Sequence, residues 1–376
     1  VSRRVAGASA LWETRLLAVV VATLVVFGIA AVYGASSIVA VERGEPGSAF
    51  ALRQFVGALA GGLLCLIAAR LDYHVWRRFA WPLVGVSALL LFVPLLPWTH
   101  AIAPEINGAR RWIYLPLVSF QPSEIASLAV VVWTAMLAAK KGDLVREFKR
   151  GLLPFMAVVG PLSALVLFEP DLSGAVFLAL LAGVVLFTAG ARIGHFLLLG
   201  LAAVPIAWHE IASVQYRLAR VLTFLSPGAD AQESNWQITQ SVIGVGSGRV
   251  FGVGFGQGQQ KLGYLPYAYS DFIFSTIGEE WGFIGVCVIL LFYAVLVALG
   301  FRIARTASDR FGMLLATGLT AAIGISAVVH MAVSLALVPA TGLPLPLISY
   351  GRTSLLITLV SAGILISIGR RRGRAA

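Results

Sequence analysis

Two cysteines, Cys65 and Cys287, are all that 376 residues provide, and each sits inside an apolar run. That scarcity excludes a disulfide framework and a thiolate metal site. Histidine is equally thin: His74, His100, His195, His209 and His330 are scattered, with no i, i+4 pair of the kind a helix uses to hold zinc. Charge is scarce as well, at 12% of residues against 59% hydrophobic. A water-soluble core of this size has no need of apolar runs so long and so often repeated, so the chain reads as a membrane protein. No soluble domain, nucleotide site or nucleic-acid motif is present.

Apolar stretches of bilayer length fall at roughly 16–36, 50–69, 79–97, 120–139, 151–168, 172–190, 193–211, 272–300, 311–338 and 344–369. The expected fold class is an all-α polytopic membrane protein of about ten transmembrane helices, forming one membrane domain over 1–376. The first stretch has basic flanks like a signal peptide, but its run is long and residues 33–41 offer no clear cleavage site, so it reads as a span. The net charge of +11 speaks to topology rather than nucleic acid, because the basic residues are distributed by loop. With the N-terminus inside, nineteen of 28 basic residues fall on that side, including Lys140, Lys141, Arg146, Lys149 and Arg150. Twelve of the seventeen acidic residues fall on or near the other face, and both termini are expected in the cytoplasm.

Residues 212–271 are the longest polar connection and are expected as a large extracytoplasmic loop between helices seven and eight. The segment carries Tyr216, Arg217, Arg220, Gln237 and Gln240, then the run GVGSGRVFGVGFGQGQQKLGYLP. Unhindered glycine N–H groups can converge on an anion, with Lys261 adding a point charge; the alternative is a re-entrant loop lying on neighbouring helices. Just beyond it Asp271 opens a helix, and Glu279 and Glu280 follow two turns later. Carboxylates in a membrane segment are costly and face protein or a water-filled cavity. For Asp271 the alternative role is a helix N-cap; for Glu279 and Glu280 it is a structural ion pair or hydrogen-bonded turn.

Three further clusters map to the same face. Residues 107–112 include Arg110 and Arg111, which can hold phosphates by charge-assisted hydrogen bonds, or else attract lipid headgroups or pair with Glu124. Gln121, Pro122, Ser123 and Glu124 begin helix four. Glu169, Pro170 and Asp171 form the turn before helix six, where Asp171 suits a cap and the pair suits acid–base chemistry.

In order and spacing, Arg53-Gln54, NGARRWI, QPSE, PDLSG, Tyr216-Arg217 with Arg220, the GSG-to-QK loop, YLPYAYSDFIFSTIGEEWG and TGLPLPLISYG (341–351) resemble the SEDS family of shape, elongation, division and sporulation proteins, FtsW, RodA and SpoVE. The QK ahead of YLP and the IGEE that follows are closer to the division and sporulation branch. The resemblance implies a peptidoglycan glycosyltransferase on the outer face of the bacterial cytoplasmic membrane, surrounded by membrane lipids, polymerising lipid II and releasing undecaprenyl pyrophosphate alongside a class B penicillin-binding protein. By likeness Asp271 is catalytic, either as general base on the acceptor 4-hydroxyl or as a ligand to a divalent cation, Mg or Mn. Arg110, Arg111, Arg217, Arg220 and Lys261 would then meet the diphosphate, with Gln121, Glu124 and Ser349 completing the substrate-binding set. No nucleotide is required.

The sequence departs from the family pattern in places. Tyr267, Tyr269 and Ser270 stand where PEAHTDF has Glu, His and Thr; Ser127 replaces a lysine; Ser326 and His330 replace Gln and Asn; and SYGGSS has become SYGRTS with Arg352 and Thr353. Asp271 is retained. A lipid-linked precursor flippase and a non-catalytic scaffold are the competing readings; charges gathered on one face favour the polymerase over a flippase.

Overall fold

The computed structural model describes residues 2–106, 108–115, 119–214, 218, 221, 224 and 233–371. The helices are α1 (Ser2–Glu42), α2 (Ala49–Arg70), α3 (His74–Phe92), α4 (Pro122–Lys141), α5 (Leu153–Phe168), α6 (Leu172–Thr188), α7 (Ile193–Ala212), α8 (Glu233–Ser247), α9 (Ile273–Arg305), α10 (Arg310–Ser334) and α11 (Arg352–Arg370). Among the described residues, nine of these are long and apolar enough to cross a membrane. The 17-residue α6 is the shorter apolar helix that brings the set to ten, at the lower edge of the length a bilayer asks for.

Local chemistry sets the boundaries. Asp171 caps α6 by accepting from the Gly174 N–H at 3.0 Å, and Asp309 caps α10 by accepting from Gly312 at 3.2 Å. Pro122 occupies the first position of α4, where its missing N–H costs nothing. The helix expected from residue 344 instead begins at Arg352, because Pro344 and Pro346 cannot donate to a helical ladder. Residues 335–351 therefore form an irregular hairpin within the protein, with Leu345, Leu347, Ile348 and Ser349 buried.

Helices α4, α10 and α11 form the centre, with most of their positions buried, whereas no residue of α7 is buried. Small residues let the central helices approach closely, as membrane packing requires in the absence of a hydrophobic drive between helices. A Cβ on Gly363 of α11 would lie 2.4 Å from the Cys65 carbonyl oxygen of α2, so only glycine permits that crossing.

The stretch 212–271 is more than a loop. Among its described residues α8 packs into the bundle, with the Ser241 hydroxyl donating to the Ser334 carbonyl at 2.8 Å. The glycine run then lies against a break in α9. At Gly282 (φ 65°, ψ −166°) the helix is interrupted, and four backbone groups exchange partners. Phe283 and Ile284 N–H donate to the carbonyls of Arg249 (2.9 Å) and Val250 (3.2 Å), while the carbonyls of Glu279 and Glu280 accept from Val253 (3.0 Å) and Gly254 (3.1 Å). The run thus lies on a neighbouring helix, to which its backbone is hydrogen-bonded.

Gly282→Ala places a side chain in left-handed backbone and a Cβ 2.3 Å from the Gly252 nitrogen. We expect it to cost about 3 kcal/mol or more, read as a lowered thermal midpoint in detergent. Gly62→Ala on α2, whose Cβ would meet nothing within 4 Å, should leave the midpoint unchanged or raise it.

Candidate functional site

At one end of the bundle the α1–α2, α3–α4, α5–α6 and α10–α11 connections and the segment before α9 enclose a cavity of about 1330 Å³. Asp271 lines it, half-buried, on a turn that precedes α9. The turn is tight: Tyr267 sits at φ 57°, and the Ser270 and Asp271 N–H groups both donate to its carbonyl, at 3.0 and 3.1 Å. The N-cap position of α9 is Phe272, so Asp271 stands one residue ahead of the cap position that the sequence allowed it.

The hairpin 335–351 holds this turn from behind. Ser349 accepts from the Leu345 N–H and donates to the Ser270 carbonyl, both at 2.8 Å, and Tyr350 N–H donates to the Tyr269 carbonyl at 3.0 Å. Gln54 of α2 donates to the Ser349 carbonyl at 3.0 Å. Ser326 and His330 bond the Pro344 and Leu343 carbonyls, each at 2.9 Å, so these two departures from the family pattern serve the hairpin. Ser349, expected to bind substrate, is 3% exposed and absent from the cavity wall; it positions the Asp271 turn instead.

The basic candidates divide. Arg110 does not line the cavity, because its guanidinium is consumed by the Ala103 and Leu96 carbonyls and the Thr99 hydroxyl at 2.9, 3.2 and 2.9 Å. Its neighbour Arg111 does line it, bonded to the Glu169 and Pro170 carbonyls and 4.0 Å from Asp171. Lys261 also lines it, 6% exposed, donating to the Gly256 carbonyl at 2.5 Å and paired with Glu280 at 3.2 Å. Glu279 accepts from the Gln259 and Gln260 N–H groups at 2.7 and 3.2 Å, the hydrogen-bonded turn the sequence offered as its alternative. Asn107, Tyr216, Arg217 and Arg220 lie outside the described residues.

On the opposite wall Gln121 is the N-cap of α4, its N–H donating to Thr353 at 3.1 Å. Glu124, one turn in, accepts from the Ser354 hydroxyl, and Ser127 donates to the Glu124 carbonyl at 2.7 Å. Arg352 is turned to Ser119 at 2.7 Å. Among the described residues no group of three His, Cys, Asp or Glu side chains converges as metal ligands.

Sequence reasoning missed Arg43 and the aromatic cluster beneath it. Phe50, Tyr269 and Tyr350 pack with ring centroids 4.9 to 5.7 Å apart, and the Arg43 guanidinium lies 5.6 Å from the Phe50 centroid while hydrogen-bonding the Tyr269 side chain. Arg43 sits in the short run VERGEP between Glu42 and Glu45, and no motif in that run marks it.

The chain as a whole is similar to known proteins. The cell cycle protein family of FtsW, RodA and SpoVE matches residues 14–373. The chain is 44% identical to the probable peptidoglycan glycosyltransferase FtsW of Trichlorobacter lovleyi over 94% of this chain and 92% of that one. It is 35% identical to the stage V sporulation protein E of Bacillus subtilis over 94% and 96%. Among solved structures it is similar to a chain of a peptidoglycan synthase complex that coordinates polymerization and crosslinking, with TM-score 0.76, 30% identity, and 95% and 97% coverage. It is also similar to the rod shape determining protein RodA of Thermus thermophilus, with TM-score 0.69, 29% identity, and 95% and 96% coverage.

Glu169 generates a prediction of its own. It is 1% exposed, both carboxyl oxygens lack a hydrogen-bond partner among the described residues, and burial, aided by nearby Asp171 and opposed by Arg111, pushes its pKa up to about 9. A raised pKa means the native state holds the proton more tightly than the unfolded chain does. Its contribution to stability is complete below the ordinary value of 4.5 and is lost as pH rises toward about 9. Glu169→Gln mimics the neutral form, so thermal midpoints measured from pH 5 to 9 should fall less steeply in the variant; equal slopes would show an ionised Glu169.

Proposed function

Because the chain belongs to the FtsW, RodA and SpoVE family of cell cycle proteins, we propose that it is a peptidoglycan glycosyltransferase that polymerises lipid II in the cavity beside Asp271. The observation that carries this reading is Asp271 itself: a carboxylate on a braced turn, at the wall of a cavity large enough for a lipid-linked sugar. Asp271 accepts the proton of the acceptor sugar 4-hydroxyl. That oxygen forms a bond to the anomeric carbon of the donor as the bond from this carbon to the diphosphate breaks, and undecaprenyl pyrophosphate leaves.

The leaving group is anionic, and Arg111 and Lys261 offer N–H donors on the wall that receives it, each with a carboxylate partner, Asp171 at 4.0 Å and Glu280 at 3.2 Å. Glu124 and Gln121, on the opposite wall, offer acceptor groups to sugar hydroxyls and amides. A magnesium or manganese ion carried in on the diphosphate would find one protein ligand in Asp271, and no step here depends on it. By the basic-residue asymmetry, the cavity end of the bundle faces away from the cytoplasm of a bacterial inner membrane. The likeness to a chain of a peptidoglycan synthase complex supports a class B penicillin-binding protein as partner.

The flippase reading calls for functional charges reachable from both faces in turn. The charged residues that line this cavity instead come from connections and helix ends at one end of the bundle.

Purified protein with its cognate transpeptidase should make glycan strands from lipid II, and Asp271→Asn, folded to the same thermal midpoint, should lose at least about a hundredfold in rate. Strands made at wild-type rate by the variant would remove Asp271 from the chemistry.

A further inference from the structure

Three basic residues among those described line the cavity: Arg43, Arg111 and Lys261. Two have carboxylate partners, Arg111 with Asp171 at 4.0 Å and Lys261 with Glu280 at 3.2 Å. Arg43 has none among the described residues; its contacts are the Tyr269 side chain and the face of Phe50. Nearby Glu45 is engaged elsewhere, holding Arg53 at 2.8 Å.

The contacts that Arg43 does make orient it without neutralising it. Phe50 is 3% exposed and wedged between Tyr269 and Tyr350, so the ring under the guanidinium is a fixed platform. The Tyr269 hydroxyl engages part of the five-donor fork, and among the described residues no other side chain is hydrogen-bonded to the remaining N–H groups, which face the cavity as donors for a ligand. Tyr269 is two residues from Asp271 and its carbonyl is tied to Tyr350, so the platform and the Asp271 turn are one rigid unit. A preorganised, uncompensated arginine at the wall of a cavity is suited to an anion with several oxygens, for which bidentate contact adds to charge.

We propose that Arg43 is a substrate-binding residue that holds the diphosphate of the lipid-linked substrate beside Asp271. The assignment rests on the glycosyltransferase reading above for the identity of the substrate, and on the geometry of the cavity for the anion. Bulk phospholipid headgroups carry the same phosphate chemistry and are the source to be distinguished.

The test uses the full chain in detergent micelles, with lipid II polymerisation and direct binding of undecaprenyl pyrophosphate measured on the same preparations. Arg43→Ala should raise the KM for lipid II and the Kd for undecaprenyl pyrophosphate by roughly tenfold. Arg43→Lys, which keeps the charge but not the planar fork, should recover part of the loss, and Arg43→Gln should not. Tyr269→Phe, which keeps the ring and removes the hydroxyl, should give a smaller rise in both constants. Added phosphatidylglycerol should compete no better against wild type than against Arg43→Ala; Arg43-dependent competition of the same size would assign the residue to bulk headgroups and overturn the proposal. If Arg43→Ala does not fold, the Lys and Gln variants carry the comparison. Polymerisation by wild type with unchanged KM and Kd in the Arg43 variants sinks the assignment. Arg43-dependent diphosphate binding by a wild type that makes no glycan leaves the assignment standing and removes the glycosyltransferase reading.

Discussion

A peptide group inside a bilayer has no water to turn to, so each interruption of a membrane helix must hand its hydrogen bonds to another part of the protein. The break at Gly282 meets this requirement by a swap with residues 249–254, in which two freed N–H groups and two freed carbonyls all find partners. The swap fixes the glycine run as a structural insert. It also brings Lys261 to Glu280 and the Gln259 and Gln260 N–H groups to Glu279, which neutralises carboxylates that would otherwise be costly at membrane depth. The first turns of α9, the glycine run and the Asp271 turn are consequently one body, and the position of the catalytic candidate is inherited from that body.

The same requirement explains why so few of the charged residues near the cavity are left for chemistry. Arg110 serves three carbonyl and hydroxyl acceptors in its own loop, Asp171 caps α6, Glu279 closes a backbone turn, and Lys261 is held by Glu280. A cavity that stabilises a developing negative charge needs cations whose charge is not already cancelled. The division of labour between structural and chemical charges is therefore decided by who their neighbours are, and residue type alone does not reveal it.

That is also where the sequence stops being legible. Eight of the ten apolar runs reappear as helices within five residues of their expected ends, because length and apolarity are what a bilayer selects, while α1 runs well past the 16–36 stretch to Ser2 and Glu42. The last span was misplaced by eight residues, since Pro344 and Pro346 look tolerable in an apolar run until their missing donors are counted. Arg110 and Arg111 are adjacent and look equivalent, yet Arg110 is consumed by acceptors in its own loop and only Arg111 reaches the cavity. The places of Ser349 behind the Asp271 turn and of Arg43 at the cavity wall were not legible either, because the contacts that decide them join segments about 80 and 226 residues apart in the chain.

Those separations bear on how the protein is made. Gln54 and Ser349 are 295 residues apart, Gln121 and Thr353 are 232 apart, and α2 packs along α11 from Cys65 to Gly363. A chain delivered to the membrane from its N-terminus must therefore hold α2 and the start of α4 in the bilayer with those surfaces uncovered until the final helix arrives. The turn carrying Asp271 emerges well before the hairpin that braces it. The cavity is thus complete only once α11 has been made, and a nascent chain stalled earlier would sit in the membrane with its helices inserted and its cavity unmade.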